Sequence, residues 1–435
     1  MKVYRYPHPQ QWNEILSRPT RDSSEVFRAA SQILDDVKEE GDAALLRYEE
    51  KFDKVRLKGL RVAPSSLNSA KNELSDNLRQ AINLAYNNIR TFHEAQRFRP
   101  IKVSVRPGLT CEQRAVPIES VGLYIPGGTA PLFSTVLMLA IPAKLAGCRR
   151  VVMCTPPASD GNVHPAILYA AHVSGIREIY KVGGAQAIAA LTFGTKTIPR
   201  VNKIFGPGNP YVTAAKQLAT LRGVAIDMPA GPSELAVLAD ESARTDFVAA
   251  DLLSQAEHGT TSQVIFVTTS KRLFDSLPGE LNSQLATLPR KEIATRSLEN
   301  SVMILVDNLK DGIRIVNTYA PEHLILSITN YRAAAKHIIS AGSIFLGNLS
   351  CESAGDYASG TNHTLPTSGY AHAYSGLSLD SFMRKTTLQL LQPRGIKEIA
   401  PAVVEMARAE GLEGHARAMQ LRMKTIHSTP RNPHK

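Results

Sequence analysis

Val121-Gly-Leu-Tyr-Ile-Pro126, Arg150-Val-Val-Met-Cys-Thr155, Glu178-Ile-Tyr-Lys-Val182 and Lys203-Ile-Phe205 are short β-rich runs whose spacing decides the fold. Between them lie Ala/Leu-rich stretches of helical length at 131–146, 165–173 and 185–193. Strands that alternate with helices imply a parallel sheet with crossover helices. Glu234-Leu-Ala-Val-Leu-Ala239 reads as a strand leaving this set. A second set follows, with a helix over 245–258 and strands at 263–268, 301–306 and 343–346. The expected fold is therefore α/β, with two Rossmann-like parallel-sheet domains in series and a cleft between them.

Working outward, the first hundred residues read as helices. Ser23-Ser24-Glu25 offers a cap before the stripe Val26, Ile33, Leu34 and Val37, and Gly41 ends that segment. A second long helix is expected after Pro64-Ser65-Ser66, running to about His93 on Leu74, Leu78, Ile82, Ala85 and Ile89. From about Met383 the chain again reads helical, with too little apolar content to stand alone. The expected division is 1–115 with 235–382, then 116–234, then a C-terminal helical tail at 383–435.

The 435 residues are 43% hydrophobic and 20% charged, an ordinary globular composition, and too long for one compact core. No apolar run reaches bilayer length, and Met1-Lys2-Val3-Tyr4-Arg5 lacks a signal core, so a cytoplasmic protein without membrane contact is expected. Cys111, Cys148, Cys154 and Cys351 form no Cys-x-x-Cys pair, which argues against a disulfide framework or thiolate zinc site. The net charge of +11 is read as dispersed without an aromatic-interleaved stripe, its denser tail at Arg417, Arg422, Lys424, Arg431 and Lys435 being taken as a solvated helix face and frayed end, so no nucleic-acid partner is expected.

Three segments carry chemistry. Gln255 and His258 stand three apart at a helix end closed by Gly259, a spacing that puts both on one face. Glu352-Ser-Ala-Gly-Asp356-Tyr-Ala-Ser-Gly-Thr-Asn-His363 packs two carboxylates and an imidazole into a glycine-rich segment after a strand. Pro321-Glu322-His323 sets an acid beside an imidazole before the apolar run Leu324-Ile-Leu326, and imidazole suits proton transfer near neutral pH. On their own, each of the first two also fits a solvated polar surface, and the third a surface pair. Glycine turns at 126–129, 182–186 and 205–209 follow strands, where backbone N–H groups can meet phosphate oxygens. The Gly-x-Gly-x-x-Gly fingerprint is absent, so the turns indicate an anionic ligand, of which a nucleotide is one kind.

In this order the segments resemble the L-histidinol dehydrogenase family. Val121-Gly-Leu-Tyr-Ile-Pro-Gly-Gly-Thr-Ala-Pro-Leu-Phe133, Gly183-Gly-Ala-Gln-Ala187, Ile204-Phe-Gly-Pro-Gly-Asn209, Asp227-Met-Pro-Ala-Gly-Pro-Ser-Glu234, Asp251-Leu-Leu-Ser-Gln-Ala-Glu-His258, Pro321-Glu-His-Leu324, the 352–363 segment and Gly414-His415 carry the likeness. The resemblance implies zinc held by Gln255, His258, Asp356 and His415, the last supplied by the partner of a homodimer. It implies NAD contacts at Tyr124, Gln186 and Asn209, making 116–234 the NAD-binding domain and 1–115 with 235–382 the catalytic, zinc-binding one. Ser233, Glu352, His363 and Glu410 would line the substrate site with His323 and the zinc ligands. The implied reaction is a four-electron oxidation of L-histidinol to L-histidine with two NAD, closing histidine biosynthesis. His323 would be the base, and Glu322 would activate water. Cys351 stands where the family usually has Pro, and the basic balance is unusual for it. The alternatives are a related dehydrogenase of another alcohol or diol, such as a sulfopropanediol, and a non-catalytic binding protein on the same scaffold. Retention of Ser233, Glu352, His363 and Glu410 favours histidinol, since a sulfonate would want a cationic pocket.

Overall fold

Runs buried on both faces become central parallel strands, because crossover helices cover each side of such a sheet. A computed structural model describes residues 1–19, 24–127, 130–229 and 231–428. The chain divides into one unit of Met1–Gln96 with Ile118–Phe382 and another of Arg97–Pro117 with Met383–Lys435.

The first unit holds two parallel sheets. One has five strands in the order Glu178–Lys181, Arg150–Thr155, Ser120–Tyr124, Lys203–Phe205, Ala225–Ile226. The other has six, in the order Lys2–Arg5, Val302–Leu305, Gln263–Thr268, Glu234–Ala239, His323–Ser327, Ser343–Leu346. In each, apart from the edge strand Lys2–Arg5, the chain lays a central strand, adds two on one side and then two on the other, which is the doubly wound order. Helix Phe133–Ala146 is apolar all round and buries eleven residues, as a helix sunk between layers must.

The N-terminal region splits between the sheets instead of completing the second one. Lys2–Arg5 pairs in parallel with Val302–Leu305 at the edge of the six-stranded sheet. Ile33, Leu34 and Val37 instead share a core with Ile188, Leu191 and Ala215 of the five-stranded layer. The long helix expected over 64–93 is broken. Pro64–Ser69 and a 3-10 turn at Ala70–Glu73 precede Ser75, whose hydroxyl accepts from Leu78 N (3.3 Å) and starts Asp76–Glu94. Ser23 of the cap expected for the preceding helix lies outside the described residues.

The second unit corrects two expectations. Met383–Leu391 is a strand, not a helix; it pairs antiparallel with Leu109–Pro117, which pairs antiparallel with Ile101–Arg106. Residues 97–117 thus belong with the C-terminal segment and not with the rest of 1–115. Helix begins only at Pro393, and Pro393–Ala409 packs on Glu413–Ser428 through Val404, Ala407, Ala416 and Met419. Nor is the charge dispersed. This unit has fifteen Lys and Arg against five Asp and Glu, which is +10 of the chain's +11. No helix among the described residues is long and apolar enough to cross a membrane.

Candidate functional site

The amino edge of the six-stranded sheet gathers the acids and imidazoles. His323 is the first residue of its strand and Glu322 the residue before it. Ser233 precedes the neighbouring strand Glu234–Ala239. Helix Thr245–Ala256 runs back to the same edge and delivers Gln255 in its last turn. The glycine-rich segment begins as a short helix, Glu352–Tyr357, that places Glu352 and Asp356 one turn apart on one face. Gly355 is needed there, since a Cβ on it would lie 2.7 Å from the Phe345 ring, which in turn packs near His323 at 5.9 Å between centroids.

His323 sits in the middle. Its Nε2 is 3.4 Å from Asp356 Oδ1, and its Nδ1 is 3.5 Å from Glu352 Oε1 and 3.7 Å from Glu322 Oε2. Gln255 Nε2 lies 3.4 Å from His323 Nδ1. Burial pulls the imidazole pKa down, but Glu352, Glu322 and Asp356 outweigh it and push it up to about 10. Burial pushes Glu322 up to about 8, opposed by His323 and by a hydrogen bond from Glu234 N at 2.9 Å. Burial likewise raises Glu352 well above the usual carboxylate range. Asp356 resists burial and stays low because His323 is its partner. His363 Nδ1 donates to Asp356 O (2.9 Å) while its Nε2 faces Thr135 Oγ1 (3.2 Å), and His258 at the rim feels the charges of Asp356 and His323.

This crowd of carboxylates suits a cation. Gln255 Oε1, Asp356 Oδ1 and both Glu352 oxygens are buried without a hydrogen-bond partner among the described residues. Buried polar atoms are rarely left so unless something else meets them. His323, Glu352 and Asp356 offer ligand atoms within 4.8 Å of one another. Of the zinc set expected from the sequence, Asp356 belongs to this cluster, Gln255 adjoins it and His258 stands at its rim. His415 and Glu410 belong to the second unit.

The residues expected at NAD lie along the carboxyl edge of the five-stranded sheet. The strand order reverses between Ser120–Tyr124 and Lys203–Phe205, where doubly wound sheets open a ligand crevice. Tyr124 ends the first of these strands, and Asn209 follows the second, where its Oδ1 caps helix Pro210–Thr220 by accepting from Val212 N (3.0 Å). Gly206 closes the crevice floor, with φ +122° and an ideal Cβ position 2.1 Å from Tyr124 O, so no side chain fits. The turn at 183–184 does not have the free N–H groups expected of it. Gly183 N donates to Glu49 Oε1 (3.1 Å), and Gly184 N donates to the Tyr124 hydroxyl (3.1 Å). Gly128 and Thr129 of the first glycine turn lie outside the described residues.

A small cavity of about 50 Å³, partly open, joins the two edges. Gly206, Pro207 and Asp227 line it from the five-stranded side, and Ser233, Glu322 and His363 from the other. Two groups behind its walls gave no readable sequence signal. Lys216 and Asp227 form a buried ion pair (2.5 Å), and Lys216 Nζ also donates to Gly206 O (2.7 Å), pinning the crevice turn. Arg18 grips Glu234 through two bonds (2.5 and 2.9 Å), which steadies the residue whose N–H meets Glu322. An acid within an apolar strand, as at Glu234, was the one available hint. An arrangement of this kind can take a proton at His323, hold a cation at the acids and seat a flat cofactor opposite.

Comparison with known proteins bears on which chemistry this is. A family model described as Histidinol dehydrogenase matches residues 16–423. The chain is 58% identical over 426 residues to a histidinol dehydrogenase of Bacteroides thetaiotaomicron, covering 98% of this chain and 100% of that one. It is 50% identical over 419 residues to one from Vibrio cholerae, covering 96% of each. The crystal structure of histidinol dehydrogenase from Elizabethkingia anophelis superposes with a TM-score of 0.96 at 51% identity, covering 98% of this chain and 99% of that one.

Proposed function

The chain belongs to the histidinol dehydrogenase family, and from that premise we infer that it oxidises L-histidinol to L-histidine with NAD as acceptor. The observation that carries this reading is the convergence of Glu322, Glu352 and Asp356 on His323, with Glu322 also lining a cavity whose opposite wall is the crevice edge of a doubly wound sheet.

In the first step the alcohol loses its hydroxyl proton to His323 and its carbon-bound hydride to NAD, leaving a bound aldehyde. Water then adds to the aldehyde, Glu322 taking a proton from the water while the His323 imidazolium returns one to the carbonyl oxygen; the hydrate loses a hydride to a second NAD and a hydroxyl proton to the again neutral His323. Glu352, Glu322 and Asp356 raise the proton affinity of His323, and a cation held at the acids would offset them so that the ring starts each oxidation neutral. Gln255, His258 and Asp356, with His415 from the partner subunit of a homodimer, would hold zinc. That ion would supply positive charge to orient the amino alcohol. Ser233, Glu352, His363 and Glu410 fit the remaining polar groups of the substrate. Tyr124, Gln186 and Asn209 are the candidates for holding NAD at the crevice.

The dimer is supported by the second unit, which leaves Ile101, Val103, Val105, Leu390, Met406, Leu412 and Leu421 exposed around a core of only a few small residues. A sulfonated substrate is disfavoured because no Lys or Arg is among the described residues lining the cavity. Following NADH at 340 nm with limiting L-histidinol tests the reading. Two NADH per histidinol, with histidine as product, is expected; one NADH and an accumulated aldehyde would remove the second oxidation, and no NADH would remove the substrate.

A further inference from the structure

Glu49 takes no part in the chemistry above, yet it is fully buried beside the crevice, in a single π-helical turn, Glu49–Asp53. Its Oε1 accepts twice, from Gly183 N at 3.1 Å and from Gln186 Nε2 at 2.9 Å. A carboxyl oxygen only accepts here, so the Gln186 amide has one orientation available, with nitrogen toward Glu49 and oxygen away. That oxygen, Gln186 Oε1, is buried and has no hydrogen-bond partner among the described residues. It is aimed at the Gly184 turn, 2.6 Å from where a Gly184 Cβ would stand, and Gly184 N is itself held by the Tyr124 hydroxyl. A side chain at residue 184 would block that oxygen, and glycine leaves the approach open.

We propose that Glu49 is a positioning residue for the cofactor, fixing Gln186 so that it presents a bare carbonyl oxygen to a hydrogen-bond donor of the dinucleotide, as a ribose hydroxyl provides. The inference rests on the reading of Gln186 as an NAD contact. Burial, with Asp53 alongside, holds the Glu49 carboxyl up to about 8, so near neutral pH it is an uncharged acceptor, suited to an uncharged amide. Without Glu49, the Gln186 amide can turn over and offer a donor to the ligand's donor. The unpaired oxygen also makes the site selective, because a ligand lacking the hydroxyl leaves that oxygen buried and unsatisfied.

Steady-state kinetics on purified full-length variants decide the matter, with thermal midpoints recorded to confirm folding. Q186A and E49L are each expected to raise the KM for NAD about tenfold, the scale of one lost hydrogen bond, with kcat within about twofold. E49Q keeps an acceptor oxygen at the same place and is expected to hold KM within about twofold of the parent. Because Glu49 acts through Gln186, the double variant E49L/Q186A is expected to be no worse than the poorer single one. A normal KM in E49L beside a raised one in Q186A overturns the proposal and leaves the Gln186 reading standing. So do effects that multiply in the double variant, or an E49Q as impaired as E49L. An unchanged KM in Q186A removes both. If E49L does not fold, E49Q and E49A compared at matched thermal midpoints carry the same decision.

Discussion

Single buried polar residues in this chain differ in whether neighbours satisfy them. His93 is fully enclosed; its Nδ1 is 2.8 Å from Ile89 O and its Nε2 3.3 Å from Asn362 Nδ2, so it fastens the segment carrying His363 to the helix Asp76–Glu94. Burial holds its pKa below the ordinary value, so the unfolded chain binds the proton more readily than the folded one. Stability from this residue is full above the unfolded pKa, about 6.5, and falls as pH drops below it. We expect the thermal midpoint of the parent to decline between pH 7 and 5.5 more steeply than that of H93Q; parallel declines would remove His93 as the cause. His323 and Glu322 stood out from sequence as an acid–imidazole pair before an apolar run, but on their own they also fitted a surface pair, and only the family resemblance gave them roles. Glu49, Arg18 and Lys216 could not, since a lone charge on a helix does not reveal which distant backbone group it will meet.

Elements were legible in proportion to their burial. The strands Arg150–Thr155 and Gln263–Thr268 are enclosed almost throughout, so they appear as unbroken apolar runs with helices between them. Ile101–Arg106 and Met383–Leu391 are mostly exposed, and Thr, Gln, Lys and Arg among their residues mask the alternation. The edge on which the acids and imidazoles gather was also hidden, because parallel topology alone decides that Gln255 returns to the start of the strand headed by His323. The turn after Lys203–Phe205 is the element most exposed to substitution. In G206A a methyl group is driven into Tyr124 O at a backbone angle that L-residues rarely adopt, so we expect a loss of about 2–4 kcal/mol. Urea denaturation gives that number, and a KM for NAD that rises with it places the turn at the cofactor. An unchanged unfolding midpoint would show that the crevice floor can yield.

At the level of the molecule, the family assignment makes one arrangement testable: a site completed by a second copy. His415 lies in the second unit and His323 in the first. Subunits carrying H415A mixed with subunits carrying H323A should recover up to about a quarter of parental activity after exchange, since half the dimers are hybrids with one intact site of two. Exchange shown by mass spectrometry with no recovery would place each site within a single chain. The second unit has a further consequence, for synthesis. Its first strands, Ile101–Arg106 and Leu109–Pro117, leave the ribosome 265 residues before their partner Met383–Leu391. At roughly 5–20 residues per second that is a wait of about 10–50 s with a strand edge unpaired. Nascent chains arrested short of Met383 should therefore be cut by protease near 97–117 and recruit chaperones there, protection arriving only once Met383–Leu391 has emerged.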